Sequence, residues 1–479
     1  MVHRLLLVNP AFQHRVERIA QTSVGPPLGL AYLAASARQA GHAVAILDAN
    51  AESLALDEIV RRAASFAPTV IGITATTPTI GMAAEVAAGA KRAMPGVPVV
   101  VGGPHATALP AATLAAMPSF DVVARGEAER TLPDLLARLD GRFDPSALAD
   151  LAGVAFRLPD GTVMDTGIAA PIEDLDGLPL PARDLLPMHR YRCPDSDSFS
   201  TLLAMRGCPY PCVYCAVPGM FGRRVRFRAP DAVAAEIAAV HERWGTRFFS
   251  FLDDTFSTRP EWVDAFAEAM LRRGLQRRVR WICLTRADLV DRPLLMRMRA
   301  AGCVRVELGV ESGSLAGRAF LRKGLTDDQV IGAFRAAREA GLSTMGFAIL
   351  NIPGETATDV ERTFDLLRRA DPDFLQVSFL TPYPGTPLRD QAEREGWIAE
   401  HDWSRYSFLN DVVLQHGSLA PGEARALYQS FIRRFYLRPH TAFKLGRLVL
   451  NGTAQPWPLL RTAARAFAGA LVDRRGRGG

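Results

Sequence analysis

Three of the six cysteines lie within one short segment, Cys208-Pro-Tyr-Pro-Cys212-Val-Tyr-Cys215. Thiolates are the ligands of iron–sulfur clusters, and three on one loop can supply a sulfur to each of three irons. The fourth iron then has no protein ligand, and an open metal position is typical of catalytic rather than structural sites. The spacing therefore predicts a catalytic metal centre at these three cysteines.

Other interpretations of the cysteines are weaker. Structural zinc usually takes four ligands in paired short spacings, and neither a second cysteine pair nor a nearby histidine accompanies the segment. The other cysteines, Cys193, Cys283 and Cys303, are far apart. Cys283 and Cys303 fall in apolar runs and are interpreted as buried core thiols, whereas Cys193 lies in a polar stretch and is interpreted as a free thiol.

Composition limits the class of protein. The 479 residues are 48% hydrophobic and 22% charged, as in soluble globular proteins of two or three domains. No apolar run approaches the ~20 residues of a membrane helix, and the N-terminus lacks the features of a secretory signal, so we expect a cytoplasmic protein. The net charge of +6, from 56 basic and 50 acidic residues, does not by itself indicate nucleic-acid binding.

Residues 1–140 alternate short apolar runs with helical patterns at 28–39, 80–93, 110–117 and 129–139. The predicted strands are Arg4–Val8, Ala43–Leu47, Val70–Thr74, Val99–Gly102 and Val122–Ala124. Continuous Val, Ile and Leu runs followed by helices indicate a doubly wound (Rossmann-like) parallel sheet.

Ligands of such sheets bind at the carboxyl ends of the strands. Glycines and small polar side chains follow the predicted strands at these ends. They are Asn9, Thr74, Thr76, Gly102, Gly103, His105, Gly126 and Glu127. We therefore take these residues as the candidate ligand site of the first domain.

A second series of alternating strands and helices runs to residue 390. Its predicted strands are Ser200–Ala204, Phe248–Leu252, Val279–Leu284, Val304–Gly309, Thr344–Leu350 and Phe374–Phe379. Six such steps favour a partial (β/α)6 barrel over a closed eight-stranded one. The predicted domains are 1–140, a linker at 141–190, a barrel core at 191–395, and a helical C-terminal region at 396–479.

The cysteine segment resembles the signature of the radical S-adenosylmethionine (SAM) superfamily. The match includes Met205-Arg-Gly before Cys208 and the aromatic Tyr214 before Cys215. The resemblance implies that a [4Fe-4S] cluster holds SAM by its amino and carboxylate groups. It further implies that reduction, by a donor such as flavodoxin or ferredoxin, cleaves SAM to a 5′-deoxyadenosyl radical.

The same resemblance implies SAM contacts at the strand ends. Phe251-Leu-Asp253-Asp254-Thr255, Gly309-Val-Glu311-Ser312-Gly313 and the segment from Gly346 match family segments. Arg286 and Lys323 are candidate partners of the SAM carboxylate, although each could equally be a structural ion-pair residue. The predicted SAM-binding residues are Tyr214, Asp253, Asp254, Arg286, Glu311, Ser312 and Gly346. No residue is assigned as catalytic.

The first domain resembles that of the cobalamin-binding radical SAM enzymes. The resemblance rests on Asn9-Pro10, Pro27-Leu28-Gly29, Val100-Val101-Gly102-Gly103-Pro104-His105 and Ala124-Arg125-Gly126-Glu127. It implies that cobalamin binds at the candidate ligand site. The Asp-x-His-x-x-Gly pattern that places a histidine on cobalt in some cobalamin proteins is absent, so His105 is not assigned as a cobalt ligand. A nucleotide-free domain, or one with another cofactor, remains the alternative.

Two reaction types follow from this resemblance. One is methylation of an unactivated carbon through a 5′-deoxyadenosyl radical and methylcobalamin, which we favour. The other is oxidative cyclisation or rearrangement, as in the anaerobic tetrapyrrole cyclases. A third interpretation, from a different class, is a non-catalytic sensor that binds cobalamin and an iron–sulfur cluster.

The C-terminal region is basic, with ten Lys or Arg and one acidic residue after position 429. An amphipathic stretch opens at Trp457, and Arg474, Arg475 and Arg477 follow it. Basic residues beside an apolar helix can bind an anionic membrane surface, which would favour a lipophilic small-molecule substrate. A helical cap on the barrel is the favoured alternative.

Overall fold

The computed structural model describes residues 2–11, 23–139, 144–407, 409, 411–441, 444 and 446. Its N-terminal sheet contains the five predicted strands and two more. They are β1 (Arg4–Asn9), β2 (Ala43–Asp48), β3 (Val70–Thr74), β4 (Val99–Gly102), β5 (Val122–Ala124), β6 (Val154–Arg157) and β7 (Val163–Asp165). Their order is β2-β1-β3-β4-β5-β6-β7. The first five strands are parallel and the last two antiparallel.

Helices cover both faces of this sheet. They are α1 (Leu28–Gln39), α2 (Ala49–Glu52), α3 (Leu56–Phe66), α4 (Ile80–Ala93), α5 (Pro104–Ala108), α6 (Pro110–Ala116) and α7 (Thr131–Arg138). Alternate residues of β1 enter two different cores, Leu6 and Val8 on one face and Leu5 and Leu7 on the other. The period of two is that of a strand buried on both sides. The predicted doubly wound domain is confirmed.

The sheet continues into the segment predicted as a linker. Strands β6 and β7 form a hairpin around Pro159-Asp160-Gly161, and β6 pairs with β5. Residues 154–165 therefore belong to the first sheet. The predicted boundary at 140 lies outside the described residues.

The second domain is built on a six-stranded parallel sheet. Its strands, with a short antiparallel pair β9 and β10, are β8 (Phe199–Leu202), β9 (Met205–Arg206), β10 (Arg226–Phe227), β11 (Phe248–Phe251), β12 (Arg280–Thr285), β13 (Cys303–Glu311), β14 (Ser343–Leu350) and β15 (Phe374–Phe379). The order β15-β14-β13-β12-β11-β8 follows the chain strand by strand, and each pairing is parallel. An open six-stranded barrel results, as predicted.

Helices follow the barrel strands along the chain. They are α8 (Val217–Phe221), α9 (Pro230–Trp244), α10 (Pro260–Arg272), α11 (Arg292–Ala300), α12 (Leu315–Leu321), α13 (Asp327–Glu339), α14 (Ala357–Ala370), α15 (Pro387–Arg394) and α16 (Pro421–Tyr436). Cys283 and Cys303 are buried in the barrel core, as predicted, at 1% and 0% exposure. Cys193, expected in a polar loop, is a free thiol but is also buried, against Phe199 and Phe248.

The C-terminal region contacts both domains. Helix α16 packs an apolar face, including Phe431 and Phe435, on the barrel. Upstream of it, Trp403 lies edge-on to His105 of the first domain, with ring centroids 5.0 Å apart. Among the described residues no helix is long and apolar enough to cross a bilayer. The predictions at Trp457 and the terminal arginines fall on residues that the structure does not describe.

Candidate functional site

The cysteine loop leaves β9 through a turn that only glycine can adopt. Gly207 has φ +93°, and a Cβ there would lie 2.2 Å from the carbonyl oxygen of Arg224. The loop then carries Cys208, which is buried, and Cys212 and Cys215, which are half-buried. Because the turn is fixed by backbone sterics, the loop's exit from the barrel is fixed as well.

All three cysteines line one cavity of about 310 Å³ at the carboxyl ends of the barrel strands. The ends of β11 to β15 complete its wall. Residues from this wall that carry polar groups are Asp254, Thr255, Thr285, Arg286, Glu311, Lys323, Gln376, Ser378, Thr381 and Tyr383. We call this cavity the cysteine cavity.

The chemistry of the three thiols fits an iron–sulfur cluster. Burial raises the pKa of Cys215 to about 12 and also raises that of Cys212, where Lys323 and Arg286 act in the opposite direction. Buried thiols with raised pKa values become thiolates when a metal takes the place of the proton. In the described part of the chain, no three or more His, Cys, Asp or Glu side chains are grouped to hold a single ion.

The wall opposite the cysteines carries a fixed ion pair. Lys323 Nζ donates to Glu311 Oε1 at 3.0 Å, and Tyr214 Oη donates to the same oxygen at 3.1 Å. Glu311 has φ +64°, a left-handed conformation that a side chain of this size rarely adopts. Such strained residues cluster at ligand sites, where the surrounding structure holds them in place.

A second cation and a second carboxylate face the same space. The Arg286 guanidinium lies 3.8 Å from the Tyr210 ring centroid and pairs with Asp288 at 2.9 Å. Burial raises the pKa of Asp254 to about 6. A cavity with both cations and carboxylates fits the ammonium and carboxylate ends of an amino acid such as the methionine part of SAM. The residues present therefore fit both the cluster and SAM.

The predicted SAM residues divide into two groups. Tyr214, Asp254, Arg286 and Glu311 line the cavity, together with Lys323. The others, Asp253, Ser312 and Gly346, are placed behind its wall. Their roles as SAM ligands stay predictions that the structure does not support.

Each residue of the second group has a structural partner. Asp253 Oδ1 accepts from the backbone N–H groups of Ala204 and Met205 at 2.9 and 2.6 Å, and burial raises its pKa to about 8. Ser312 Oγ donates to Glu355 at 2.5 Å. Gly346 faces the helices outside the barrel, where a Cβ would lie 3.1 Å from Leu367.

A second cavity, of about 270 Å³, lies between the two domains. Its wall includes the predicted residues Thr74, Gly102, Gly103, Gly126 and Glu127. The barrel contributes Leu203, Arg206, Met220, Phe221 and Leu252. We call it the interdomain cavity.

The interdomain cavity is lined mostly by apolar groups, and at Gly103 two backbone segments of its wall approach each other closely. Gly103 has φ +99°, and a Cβ there would lie 2.6 Å from the carbonyl oxygen of Ala75. Leu252 of the barrel lines the cavity and is 49% exposed, so its apolar surface is left uncovered by the protein itself. A large flat ligand with an apolar edge, such as a corrin, would cover it, so the residues fit cobalamin.

Three predicted cobalamin residues lie outside this cavity. Asn9 Nδ2 donates to Asp48 Oδ1 at 2.8 Å, and Thr76 caps the short helix Thr77–Thr79. His105 is buried beside Thr77, and burial lowers its pKa to about 4. Each follows a strand as predicted, but its side chain is used within the protein. Their assignment as cobalamin contacts stays a prediction without support from this geometry.

Sequence reasoning missed the charged group at the floor of the interdomain cavity. Glu127, predicted to contact cobalamin, lines this cavity and is also paired with Arg206 and Arg226 of the second domain. Arg206 also pairs with Glu129. The sequence did mark Arg206 as a residue of interest, because it belongs to the Met-Arg-Gly-Cys segment that matches the radical SAM signature.

Comparisons with known proteins find a family match in each of the two domains that form these cavities. Residues 18–136 match the B12 binding domain, and residues 202–367 match the radical SAM superfamily. The uncharacterized methyltransferase PH0819 of Pyrococcus horikoshii is 34% identical, over 92% of this chain and 94% of its own length. The anaerobic magnesium-protoporphyrin IX monomethyl ester cyclase of Rubrivivax gelatinosus is 29% identical, over 94% and 81%.

Solved structures share the fold. The radical SAM methyltransferase TsrM of Kitasatospora setae, with cobalamin and a [4Fe-4S] cluster bound, has a TM-score of 0.70 at 18% identity and covers 92% of this chain and 90% of its own. The cobalamin-dependent radical enzyme OxsB, with aqua-cobalamin and SAM bound, also has a TM-score of 0.70, at 16% identity and over 99% and 81%. The predicted fold class is thereby confirmed. With its two family matches and its 34% identical relative, the chain belongs to the cobalamin-dependent radical SAM enzymes, the family of methyltransferases and tetrapyrrole cyclases in which the cluster, SAM and cobalamin are the cofactors.

Proposed function

We propose that this enzyme methylates an unactivated carbon atom of a small-molecule substrate. One observation carries the proposal. Leu252 lines the interdomain cavity and Asp254 lines the cysteine cavity, and the two residues are separated by one position at the end of β11. Two residues of extended chain span about 7 Å, so the two cavities are adjacent.

Elements from both domains meet around this junction. Helix α5, which follows Gly103, contacts helix α8, which follows Cys215. A Cβ on Gly385, in the loop after β15, would lie 3.0 Å from the Cβ of Ala108. A substrate between the cavities would therefore be enclosed by the loop after β4, the cysteine loop and the loop after β15.

The three cofactors, when bound, supply a carbon-centred radical that removes hydrogen from the substrate and a methyl group that replaces it. The residues of this chain bind and orient them. Cys208, Cys212 and Cys215 would hold the cluster. Glu311 and Lys323, fixed by Tyr214, would orient the amino-acid end of SAM, because their charges are already paired and need no rearrangement.

The apolar wall has its own role. Leu203, Leu252 and Phe221 line the interdomain cavity on the barrel side. Exclusion of water from this space protects a radical from side reactions. These side chains would keep the junction dry once cobalamin covers them.

Methyl transfer is supported by the relative PH0819 and by the hopanoid C-3 methylase of Methylococcus capsulatus, which is 28% identical over 81% of this chain. Oxidative cyclisation is the second candidate, since cyclase relatives match over up to 94% of the chain. Both would take their electron from a carrier such as flavodoxin or ferredoxin. A cytoplasmic location fits the six free cysteines.

The test is an anaerobic reconstitution with iron, sulfide and cobalamin, followed by reduction with SAM labelled in its methyl group. We expect 5′-deoxyadenosine to form and the label to appear in the bound cobalamin. The C208A variant is the control and should give neither product. If 5′-deoxyadenosine forms but the label stays in SAM, the cyclisation candidate replaces methyl transfer.

A further inference from the structure

The opposite end of the barrel holds a cavity of about 270 Å³. It lies where β12 and β13 begin, beside the turn that precedes β14. Four arginines line it, namely Arg277, Arg278, Arg280 and Arg299. It is far from the cysteines, because β12 is six residues long and six residues of strand span about 20 Å.

Two glycines shape this cavity. Gly302 has φ +98° and precedes β13, and Gly341 has φ +75° and lies before β14. A Cβ on Gly302 would lie 3.1 Å from the carbonyl oxygen of Val279. The turns are therefore tight and without side chains, which leaves a concave space between the arginines.

Asp231, the carboxylate that pairs with two arginines of the preceding turn, does not line the cavity. Arg272 and Arg273, on the neighbouring turn, pair with Asp231 at 3.1 and 2.7 Å. No Asp or Glu is among the described residues that line the cavity. The described lining of the cavity therefore carries arginines and no carboxylate.

The guanidinium groups of Arg278 and Arg299 keep donors for a ligand. Arg278 Nη2 donates to the backbone carbonyl of Arg273 at 2.8 Å, and Arg299 Nη1 donates to that of Cys303 at 3.4 Å. Each guanidinium has five N–H donors, so these contacts with neutral acceptors leave most of them available. A concave site lined by one sign of charge concentrates its field more than a flat surface does.

We propose that this cavity binds a phosphate-bearing anion, with Arg277, Arg278 and Arg299 as its ligands. Planar guanidinium groups bind phosphate oxygens in pairs, which gives both affinity and geometry. The size of the cavity fits one or two phosphate groups rather than a protein surface. The group could belong to a soluble phosphate ester or to a lipid headgroup, and the test separates these two sources.

The test uses the full chain with its cofactors loaded. Binding of sodium pyrophosphate is measured by titration calorimetry at constant ionic strength, with sodium chloride as the balancing salt. A parallel arm measures co-sedimentation with phosphatidylcholine vesicles that contain or lack phosphatidic acid. The double variant R277Q/R299Q is compared with R92Q/R394Q, which removes the same charge from exposed positions elsewhere.

We expect saturable binding in one arm, about tenfold weaker in R277Q/R299Q because charge-assisted hydrogen bonds are lost, and unchanged in R92Q/R394Q. The arm that shows it identifies the source of the phosphate. Equal loss in both double variants would mean general charge attraction and would overturn the site. Absence of saturable binding in both arms would overturn it as well.

Discussion

The carboxylate of Glu127 receives hydrogen bonds from Arg206 at 2.8 Å and from Arg226 at 3.0 Å, across the boundary between the two domains. Its other oxygen lies 2.6 Å from Arg226 Nη2, although without hydrogen-bond geometry. All three side chains are at most 6% exposed. This ion pair joins the loop after β5 to the strand that leads into the cysteine loop.

Removal of one charge should therefore destabilise the protein. E127Q leaves the buried Arg226 without its anion and removes one of the two anions of the buried Arg206. Breaking a buried ion pair in this way costs about 3–5 kcal/mol of unfolding free energy. Chemical denaturation of the wild type and the variant measures it. E173Q is the control, since Glu173 pairs with Arg224 on the surface and should change little; equal effects would contradict a special role for the buried pair.

The cluster should depend on three cysteines and no others. We expect C212A to lose the iron and the electron paramagnetic resonance signal of a reduced [4Fe-4S] cluster after anaerobic reconstitution. C303A should keep both, because Cys303 is buried in the barrel core. Iron content and the electron paramagnetic resonance signal are measured for both variants. A full signal in C212A would show that the cluster ligands are misassigned.

Lys323 should act in SAM binding. In K323M the Glu311 carboxylate loses its cation, and the SAM carboxylate would lose a candidate partner. We expect SAM to bind about tenfold more weakly to the cluster-loaded protein, as measured by equilibrium dialysis. K91M, which breaks the ion pair with Asp121 in the first domain, serves as the control and should bind SAM as the wild type does.

Gly103 should be required for cobalamin. G103A would force its Cβ against the carbonyl of Ala75, so the loop must move and the interdomain cavity changes shape. G96A is a matched control, because Gly96 also has positive φ, at +90°, but its Cβ would meet nothing within 4 Å. Absorbance of retained cobalamin after gel filtration should fall in G103A alone; equal retention would place cobalamin away from this glycine.

His105 should make stability depend on pH. Its pKa is lowered to about 4 in the folded protein by burial, whereas an unfolded histidine titrates near 6.5. As the pH falls, the unfolded state therefore binds a proton before the folded state does. The contribution of the neutral histidine to the unfolding free energy is present above pH ~6.5 and is lost as the pH falls towards ~4. The difference in unfolding free energy between wild type and H105Q should shrink by about 3 kcal/mol over that interval. A constant difference would show that His105 does not titrate this way.

The strands of both sheets were predicted well from the sequence, because they are continuous apolar runs. Val70–Thr74 and Phe374–Phe379 were predicted to the residue. Helices α2, α3, α5 and α8 were not predicted. Three of them, α2, α5 and α8, have only four or five residues, too short for a helical period to show. Helix α3 has 11 residues and was missed.

The candidate sites were predicted at the level of loops and less well at the level of side chains. Strand ends converge by topology alone, so the loops that carry Glu311 and Gly103 could be named. Which side chain turns inward depends on partners distant in sequence. Asn9 turns to Asp48 and Glu127 to Arg206, and neither contact has a local pattern.

The end of β11, where Leu252 and Asp254 face different cavities, constrains how such an enzyme can diversify. One short stretch of covalent chain contributes to the walls of both cavities, so the distance between these two walls is set within the barrel. Changes in substrate specificity would then arise in the surrounding walls, above all in the loop at Gly385 and the segment at Trp403. New substrates would thus be accommodated by changes in these two segments, while the end of β11 stays the same.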